Sequence, residues 1–119
     1  MKTLMIVDDE LQICQLLSRF FSSLGFRTLS AQSGREALEM LDAQPPDYLL
    51  LDVRMPDLSG LEVLKQAKAR HPDLRVIMVT GLSDDNVARE ALRCGASDFV
   101  TKPIAFTDQA WARAFFMPA

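Results

Sequence analysis

The chain has 119 residues, the size of one domain, and it is 49% hydrophobic and 24% charged, which excludes a disordered or fibrous protein. Its formal net charge of −3 argues against the large basic surface of a protein that binds nucleic acid or a membrane directly. No apolar run reaches the roughly 18 residues that a membrane span needs. Cys14 and Cys94 form no C-x-x-C pair, so we expect reduced thiols in a cytoplasmic protein rather than a disulfide or a zinc site.

Short apolar runs alternate with amphipathic segments along the chain, a pattern typical of a parallel β-sheet with helical crossovers. Most of these runs are unbroken rather than alternating, which indicates strands that are covered on both faces. The predicted strands are residues 4–7, 26–31, 48–51, 76–79 and 99–100.

The segments between the predicted strands carry helix signals. In the first segment, apolar residues recur at the three- and four-residue spacing of one helix face, and Gly25 follows as a stop. Ser33 and Ser59 each precede a glutamate by three residues, the spacing of a capping box, and predict the starts of the second and third helices. Ser83 and Thr107 are suited to cap a fourth and a fifth helix.

Five strand–helix units fall short of the eight that close a barrel. Because parallel crossovers are right-handed and short, the sequence predicts an α/β fold: an open, doubly wound (βα)5 parallel sheet with helices on both faces, in three layers. No linker or low-complexity segment interrupts the pattern, so we expect a single domain over residues 1–119. In such a sheet, ligands bind beyond the carboxyl ends of the strands.

Polar side chains follow four of the five predicted strands. Asp8 and Asp9 follow the first, Asp52 the third, Thr80 the fourth and Lys102 the fifth. Each residue alone would be explained by a turn, a cap or a solvated charge. Because all of them fall on the edge of the sheet where this architecture binds ligands, we expect them to form one site.

Three carboxylates in this site would repel one another, by roughly 4 kcal/mol for a pair about 4 Å apart at an effective dielectric near 20. A hard divalent cation removes that cost, and Mg²⁺ prefers oxygen ligands of this kind. We therefore expect Asp9 and Asp52 to bind Mg²⁺ directly and Asp8 to bind it through water. Calcium is a weaker candidate because the chain has no D-x-D-x-D-G loop.

A metal-bound carboxylate that faces a lysine and a threonine hydroxyl is suited to phosphoryl transfer onto aspartate. Asp52, nearest the centre of the sheet, is the expected nucleophile. The charge on the transferring phosphoryl oxygens needs partners, and Thr80 and Lys102 would supply two of them beside Mg²⁺.

Four motifs of the chain resemble the receiver domain of bacterial two-component response regulators, the CheY-like superfamily. They are residues 7–10 (VDDE), residues 51–56 (LDVRMP) with Gly60 behind them, Thr80-Gly81 and Lys102-Pro103. The resemblance covers residues 1 to about 106. It implies the flavodoxin-like strand order 2-1-3-4-5 and the Mg²⁺-dependent transfer of a phosphoryl group from a sensor histidine kinase to Asp52. A signalling protein of this kind catalyses its own phosphorylation and dephosphorylation and controls an output, rather than acting as a metabolic enzyme.

The resemblance also implies roles for residues that the spacing alone does not single out. The backbone carbonyl of Arg54 matches a metal ligand, and Lys102-Pro103 matches a peptide bond that is usually cis. Thr80 and Phe99 match the pair that moves on phosphorylation. The surface that changes would comprise the fourth helix, the fifth strand and the fifth helix, through which many relatives form homodimers.

The predicted fifth helix, residues 107–117, departs from the family pattern. It lacks a leucine-rich amphipathic face, and Trp111, Phe115, Phe116 and Met117 are more large apolar residues than one face of a short helix buries. Two explanations stay open: an apolar surface for a partner, or a natural C-terminus that has been altered or cut.

Other functions compete with the receiver hypothesis. An aspartyl-phosphate phosphatase of the haloacid dehalogenase type needs a second aspartate two residues after its nucleophile, where this chain has Arg54. A receiver-like interaction module without phosphorylation would have no need of the five polar residues at the strand ends. A flavodoxin-like FMN carrier would need a Ser/Thr-Gly-rich loop after the first strand, which this chain lacks.

Overall fold

Strands and helices alternate along the chain in a computed structural model that describes residues 1–81 and 85–101. The elements in chain order are β1 (Thr3–Val7), α1 (Leu11–Ser23), β2 (Arg27–Ala31), α2 (Gly34–Ala43), β3 (Tyr48–Asp52), α3 (Gly60–Arg70), β4 (Arg75–Thr80), α4 (Asp85–Arg93) and β5 (Asp98–Thr101). The predicted fifth helix, the Lys102-Pro103 peptide bond and the predicted cap Ser83 lie outside the described residues.

The five strands form one parallel sheet in the order β2-β1-β3-β4-β5. This confirms the predicted α/β class and the 2-1-3-4-5 order. The chain leaves β1 toward one edge of the sheet and returns to β3 on the other side, so the carboxyl ends of β1 and β3 border the crevice at which such sheets bind ligands. In the register, Val7 pairs with Leu51 and Asp52 pairs with Val79, which brings the ends of β1, β3 and β4 to one level.

The sheet is covered on both faces, as the unbroken apolar runs predicted. One face packs against α2, α3 and α4 through a cluster that includes Met5, Leu41 and Leu64. The other packs against α1 through a cluster that includes Phe21 and Leu50. Successive residues of each central strand point to opposite clusters because side chains alternate across a strand. The described residues therefore form the three layers that the sequence predicted.

The two edge strands are less buried than their apolar sequences indicated. Strand β2 is buried only at Ala31, and the residues of β5 are half-buried or exposed. Phe26, predicted as the first residue of the second strand, instead precedes β2 and packs edge-on against the ring of Phe21. A strand at the edge of the sheet has a neighbouring strand on one side only, so fewer of its side chains are covered by the helices.

Local signals predicted the helix ends well. The Ser33 hydroxyl accepts a hydrogen bond from the Glu36 backbone N–H at 3.1 Å, and that of Ser59 accepts one from Glu62 N–H at 3.2 Å. Gly25 follows α1 with φ of 96°, a conformation that favours glycine. Among the described residues, no helix is long and apolar enough to cross a membrane.

Candidate functional site

Three of the polar residues predicted at strand ends lie buried at the carboxyl ends of the three central strands. Asp8 directly follows β1 and is 3% exposed, Asp52 ends β3 and is 5% exposed, and Thr80 ends β4 and is 3% exposed. Among the side chains described in residues 1–81 and 86–101, these are the only polar or charged ones that are buried, apart from the thiol of Cys14 and the phenol of Tyr48. Burying a carboxylate is costly unless charge or hydrogen bonds offset it, so two buried acids on adjacent strands indicate a site rather than ordinary packing.

An acidic cluster lies at the end of β1. The carboxylates of Asp8, Asp9 and Glu10 each offer an oxygen within 4.8 Å of the others, and Asp9 and Glu10 are exposed. Repulsion at this separation costs about 1 kcal/mol per pair in water and about 3 kcal/mol at an effective dielectric of 20. Hard carboxylate oxygens are the ligands that Mg²⁺ prefers, so the chemistry of this donor set fits the predicted metal.

The acidic cluster differs in membership from the predicted set of metal ligands. It includes Glu10, which was not among the predicted ligands, and it does not include Asp52. Glu10 directly follows the two aspartates, and that adjacency is the signal that could have identified it. The backbone N–H of Glu10 donates to Asp8 Oδ1 at 2.9 Å and so restrains the buried carboxylate.

The buried thiol of Cys14 supports the backbone of Asp8. Its S–H donates to the Asp8 carbonyl oxygen at 3.4 Å and lies 3.8 Å from the carbonyl oxygen of Ala31. Burial raises the pKa of the Cys14 thiol to about 11, and the negative charge of Asp8 acts in the same direction. The thiol therefore stays protonated at neutral pH and acts as a structural donor rather than as a nucleophile or a metal ligand.

The turn from β3 into α3 wraps closely around Asp52. The Arg54 backbone N–H lies 3.4 Å from Asp52 Oδ1 as a long hydrogen bond, and the Gly60 N–H donates to the Val53 carbonyl at 2.7 Å. A Cβ atom on Gly60 would lie 2.3 Å from the Asp52 carbonyl oxygen, closer than any real contact. The glycine behind the acceptor motif is thus needed so that α3 can begin directly against Asp52. The role of the Arg54 carbonyl as a metal ligand stays a prediction.

Thr80 ends β4, the strand next to that of Asp52, and Phe99 lies on β5, on the far side of β4 from Asp52. The Thr80 hydroxyl donates to the Val100 carbonyl of β5 at 3.5 Å, a long and weak bond. Phe99 is half-buried and packs against the cluster formed with α2, α3 and α4. The structure brings Asp8, Asp52 and Thr80 to one edge, whereas Lys102 lies outside the described residues.

Comparison with known families gives a match over most of the chain. Residues 4–110 match the family model of the response regulator receiver domain. Regulatory protein AtoC of Escherichia coli (strain K12) is 41% identical over 100 residues, and the DNA-binding transcriptional regulator NtrC of Klebsiella pneumoniae is 44% identical over 98 residues. These alignments cover 84% and 82% of this chain but 22% and 21% of the relatives. The chain thus spans about a fifth of their length.

Solved structures resemble the chain over nearly its whole length. The receiver domain of NtrX from Brucella abortus superposes with a TM-score of 0.87 at 30% identity, and the match covers 96% of this chain and 97% of that one. The chemotaxis protein CheY4 of Vibrio cholerae gives a TM-score of 0.83 at 27% identity and covers 90% of this chain and 91% of its own.

Proposed function

The chain belongs to the response regulator receiver domain family, and we propose that it accepts a phosphoryl group on Asp52 from a phosphohistidine of a sensor histidine kinase. The observation that carries this proposal is the burial of Asp8, Asp52 and Thr80 together at the carboxyl ends of three adjacent strands. Two buried acids beside a hydroxyl are costly for folding alone and are suited to binding a phosphoryl group with a cation.

In the proposed reaction, a carboxylate oxygen of Asp52 attacks phosphorus while the bond from phosphorus to the donor breaks. The Thr80 hydroxyl donates to one phosphoryl oxygen, and the ammonium of Lys102, assigned by its family motif, pairs with another. Asp8, Asp9 and Asp52, with the Arg54 carbonyl, would hold Mg²⁺, and Glu10 adds a further carboxylate beside them. Bound there, Mg²⁺ would neutralise charge on the phosphoryl oxygens.

Phosphorylation would then change the surface around β5. A phosphoryl group adds about −1.5 to −2 charge and three acceptor oxygens. The weak 3.5 Å bond of Thr80 to β5 is readily exchanged for one of them. A shift of Thr80 toward Asp52 frees space for Phe99, and the face made by α4, β5 and the predicted fifth helix would carry the signal to an output or to a second copy of the chain. We place this activity in the cytoplasm, in a single receiver domain over residues 1–119.

The proposal is tested by incubating the chain with acetyl phosphate and Mg²⁺ and measuring its intact mass. We expect the wild type to gain one phosphoryl group, and we expect no gain in a chelator or in Asp52→Asn. Asp73→Asn, which changes an exposed aspartate ahead of β4, is the matched control and should be modified like the wild type. An unmodified wild type would favour an interaction module without phosphorylation. A modified Asp52→Asn protein would show that a residue other than Asp52 is the phosphoacceptor.

A further inference from the structure

The amino end of α2 is capped twice. From its own segment, the Ser33 hydroxyl accepts a hydrogen bond from Glu36 N–H at 3.1 Å. From across the fold, the two carboxylate oxygens of Asp57 accept hydrogen bonds from Gly34 N–H and Arg35 N–H, both at 2.9 Å. Asp57 lies 23 residues after Gly34, in the segment that joins β3 to α3. Its bonds therefore tie this segment to a different helix.

The tied segment, residues 53–59, begins directly after the proposed phosphoacceptor. Its first residue is held to the sheet, because Val53 N–H donates to the Val79 carbonyl at 3.1 Å. The next residue is Arg54, whose backbone N–H faces Asp52 Oδ1. The segment closes where Gly60 N–H donates back to the Val53 carbonyl at 2.7 Å. Asp57 lies between Val53 and Gly60 and anchors the middle of the segment to α2.

Close packing makes this attachment tight. A Cβ atom on Gly34 would lie 2.7 Å from Leu58 Cβ and 2.9 Å from Val63 Cγ2, so the segment touches the first residue of α2 directly. Leu58 is half-buried and packs against the core cluster that also holds Leu41 of α2. The segment is thereby fixed against a helix that is itself anchored in the core.

The charge of Asp57 strengthens the attachment. Hydrogen bonds from the backbone N–H groups of Arg35 and Gly34 hold the pKa of Asp57 at about 2. The carboxylate is therefore ionised at neutral pH, with both oxygens available as acceptors. A negative charge at a helix amino end is also favoured by the helix dipole. Asp57 is exposed, so replacing its side chain does not disturb the packing of the core.

We propose that Asp57 is a positioning residue for the phosphorylation site: by clamping residues 53–59 to α2, it holds Asp52 and the Arg54 backbone in the geometry that Mg²⁺ binding and phosphoryl transfer require. This inference rests on the proposed function of Asp52. Asp57 itself bonds to the amino end of α2, and it would act on the site through residues 53–59. Removing a cap that served helix stability alone would leave the site unchanged, which is the result we expect for Ser33.

The test compares Asp57→Ala, Asp57→Asn and Ser33→Ala in the full chain. Ser33→Ala is the matched control because it removes a cap from the same helix without touching residues 53–59. For each variant, Mg²⁺ affinity is measured by calorimetry, and the phosphorylation rate is measured with acetyl phosphate. Amide hydrogen exchange of residues 53–59 is followed in chelator, where neither metal nor phosphate contributes.

We expect Asp57→Ala to speed exchange across residues 53–59 and to weaken Mg²⁺ binding by about tenfold, the lower range for a group that supports metal ligands. Asp57→Asn, which keeps one acceptor oxygen, should fall between it and the wild type. Ser33→Ala should lower thermal stability while leaving Mg²⁺ affinity and phosphorylation rate unchanged.

Two results would overturn the positioning role. One is an Asp57→Ala protein with wild-type exchange, or with faster exchange but wild-type Mg²⁺ affinity and rate. The other is a Ser33→Ala protein that loses affinity as much as Asp57→Ala does. A wild type that accepts no phosphoryl group would instead refute the proposed function, and the exchange measurement would still report whether Asp57 clamps the segment.

Discussion

Replacing Gly60 with alanine tests how closely the start of α3 must approach the phosphorylation site. The added Cβ would lie 2.3 Å from the Asp52 carbonyl oxygen, 2.7 Å from Val53 Cα and 3.0 Å from the Asp52 carbonyl carbon. All three are backbone atoms, so no side-chain rotation relieves the contact. Ordinary contact begins near 3.4 Å, so the backbones of α3 and β3 must separate by about 1 Å.

Opposing contributions determine how much Gly60→Ala lowers the free energy of unfolding. Overpacking of this kind costs about 1–3 kcal/mol. The separation also lengthens the 2.7 Å hydrogen bond from Gly60 N–H to the Val53 carbonyl, a bond that contributes about 1 kcal/mol. Against this, alanine is favoured over glycine in a helix by up to about 1 kcal/mol. We expect a net loss of about 1–3 kcal/mol, which lowers the Tm of a domain of this size by about 4–12 °C.

The assay joins thermal unfolding with the rate of phosphorylation by acetyl phosphate. Because a displacement near 1 Å reaches the backbone of Asp52, we expect Gly60→Ala to slow phosphorylation by about tenfold to a hundredfold. Gly25→Ala is the control: Gly25 has φ of 96° and no heavy atom within 4 Å of an added Cβ, so it should lose about 1–2 kcal/mol without any change in rate. A Gly60→Ala protein with the Tm and rate of the wild type would refute the reasoning.

Further predictions concern the acidic cluster and its supporting thiol. In chelator, Asp9→Ala should raise Tm by about 8 °C, because removing Asp9 relieves about 1 kcal/mol of repulsion with each of Asp8 and Glu10. A lower Tm would argue against a crowded cluster. Mg²⁺ at 100 times its Kd should stabilise the wild type by about 2.7 kcal/mol and Asp9→Ala much less, as measured by thermal unfolding. The Cys14 thiol should react with a thiol reagent at neutral pH far more slowly than half-buried Cys94; equal rates would contradict its burial. Since folding raises the pKa of Cys14 from 9.0 to about 11, its contribution to stability is complete below pH 9.0 and should be lost as pH rises toward 11, measured by denaturant unfolding.

The polar residues at the strand ends could be predicted from the sequence because each of them directly follows an apolar run that ends abruptly. Asp8, Asp52 and Thr80 each end or follow a run that is buried on both faces, and a parallel sheet brings such ends to one edge. Their near-complete burial was not visible in the sequence, since it depends on the turns and helices that cover that edge. The adjacency of Glu10 to two aspartates is equally typical of a solvated charge, so only the distances between the carboxylate oxygens place Glu10 in the acidic cluster.

The order of the strands in the sheet cannot be predicted from hydrophobic periodicity alone. Alternating strand and helix signals predict an open parallel sheet, but several orders satisfy the same signals, and 2-1-3-4-5 came from the family motifs. The burial of β2 and β5 was overestimated for a related reason. An apolar run does not report whether its strand has one sheet neighbour or two.

The features that can be predicted from the sequence alone are local: which segments are strands, where Ser33, Ser59 and Gly25 begin or end helices, and which chemical groups follow the strands. Each of these depends on interactions within a few residues, which a linear pattern records. Contacts in space required the folded chain: they are the clamp from Asp57 to the start of α2, and the close approach of α3 to Asp52 that explains why the motif has a glycine at position 60. A hydrogen bond between residues 22 positions apart in the sequence produces no periodic pattern, because it depends on how the whole chain packs.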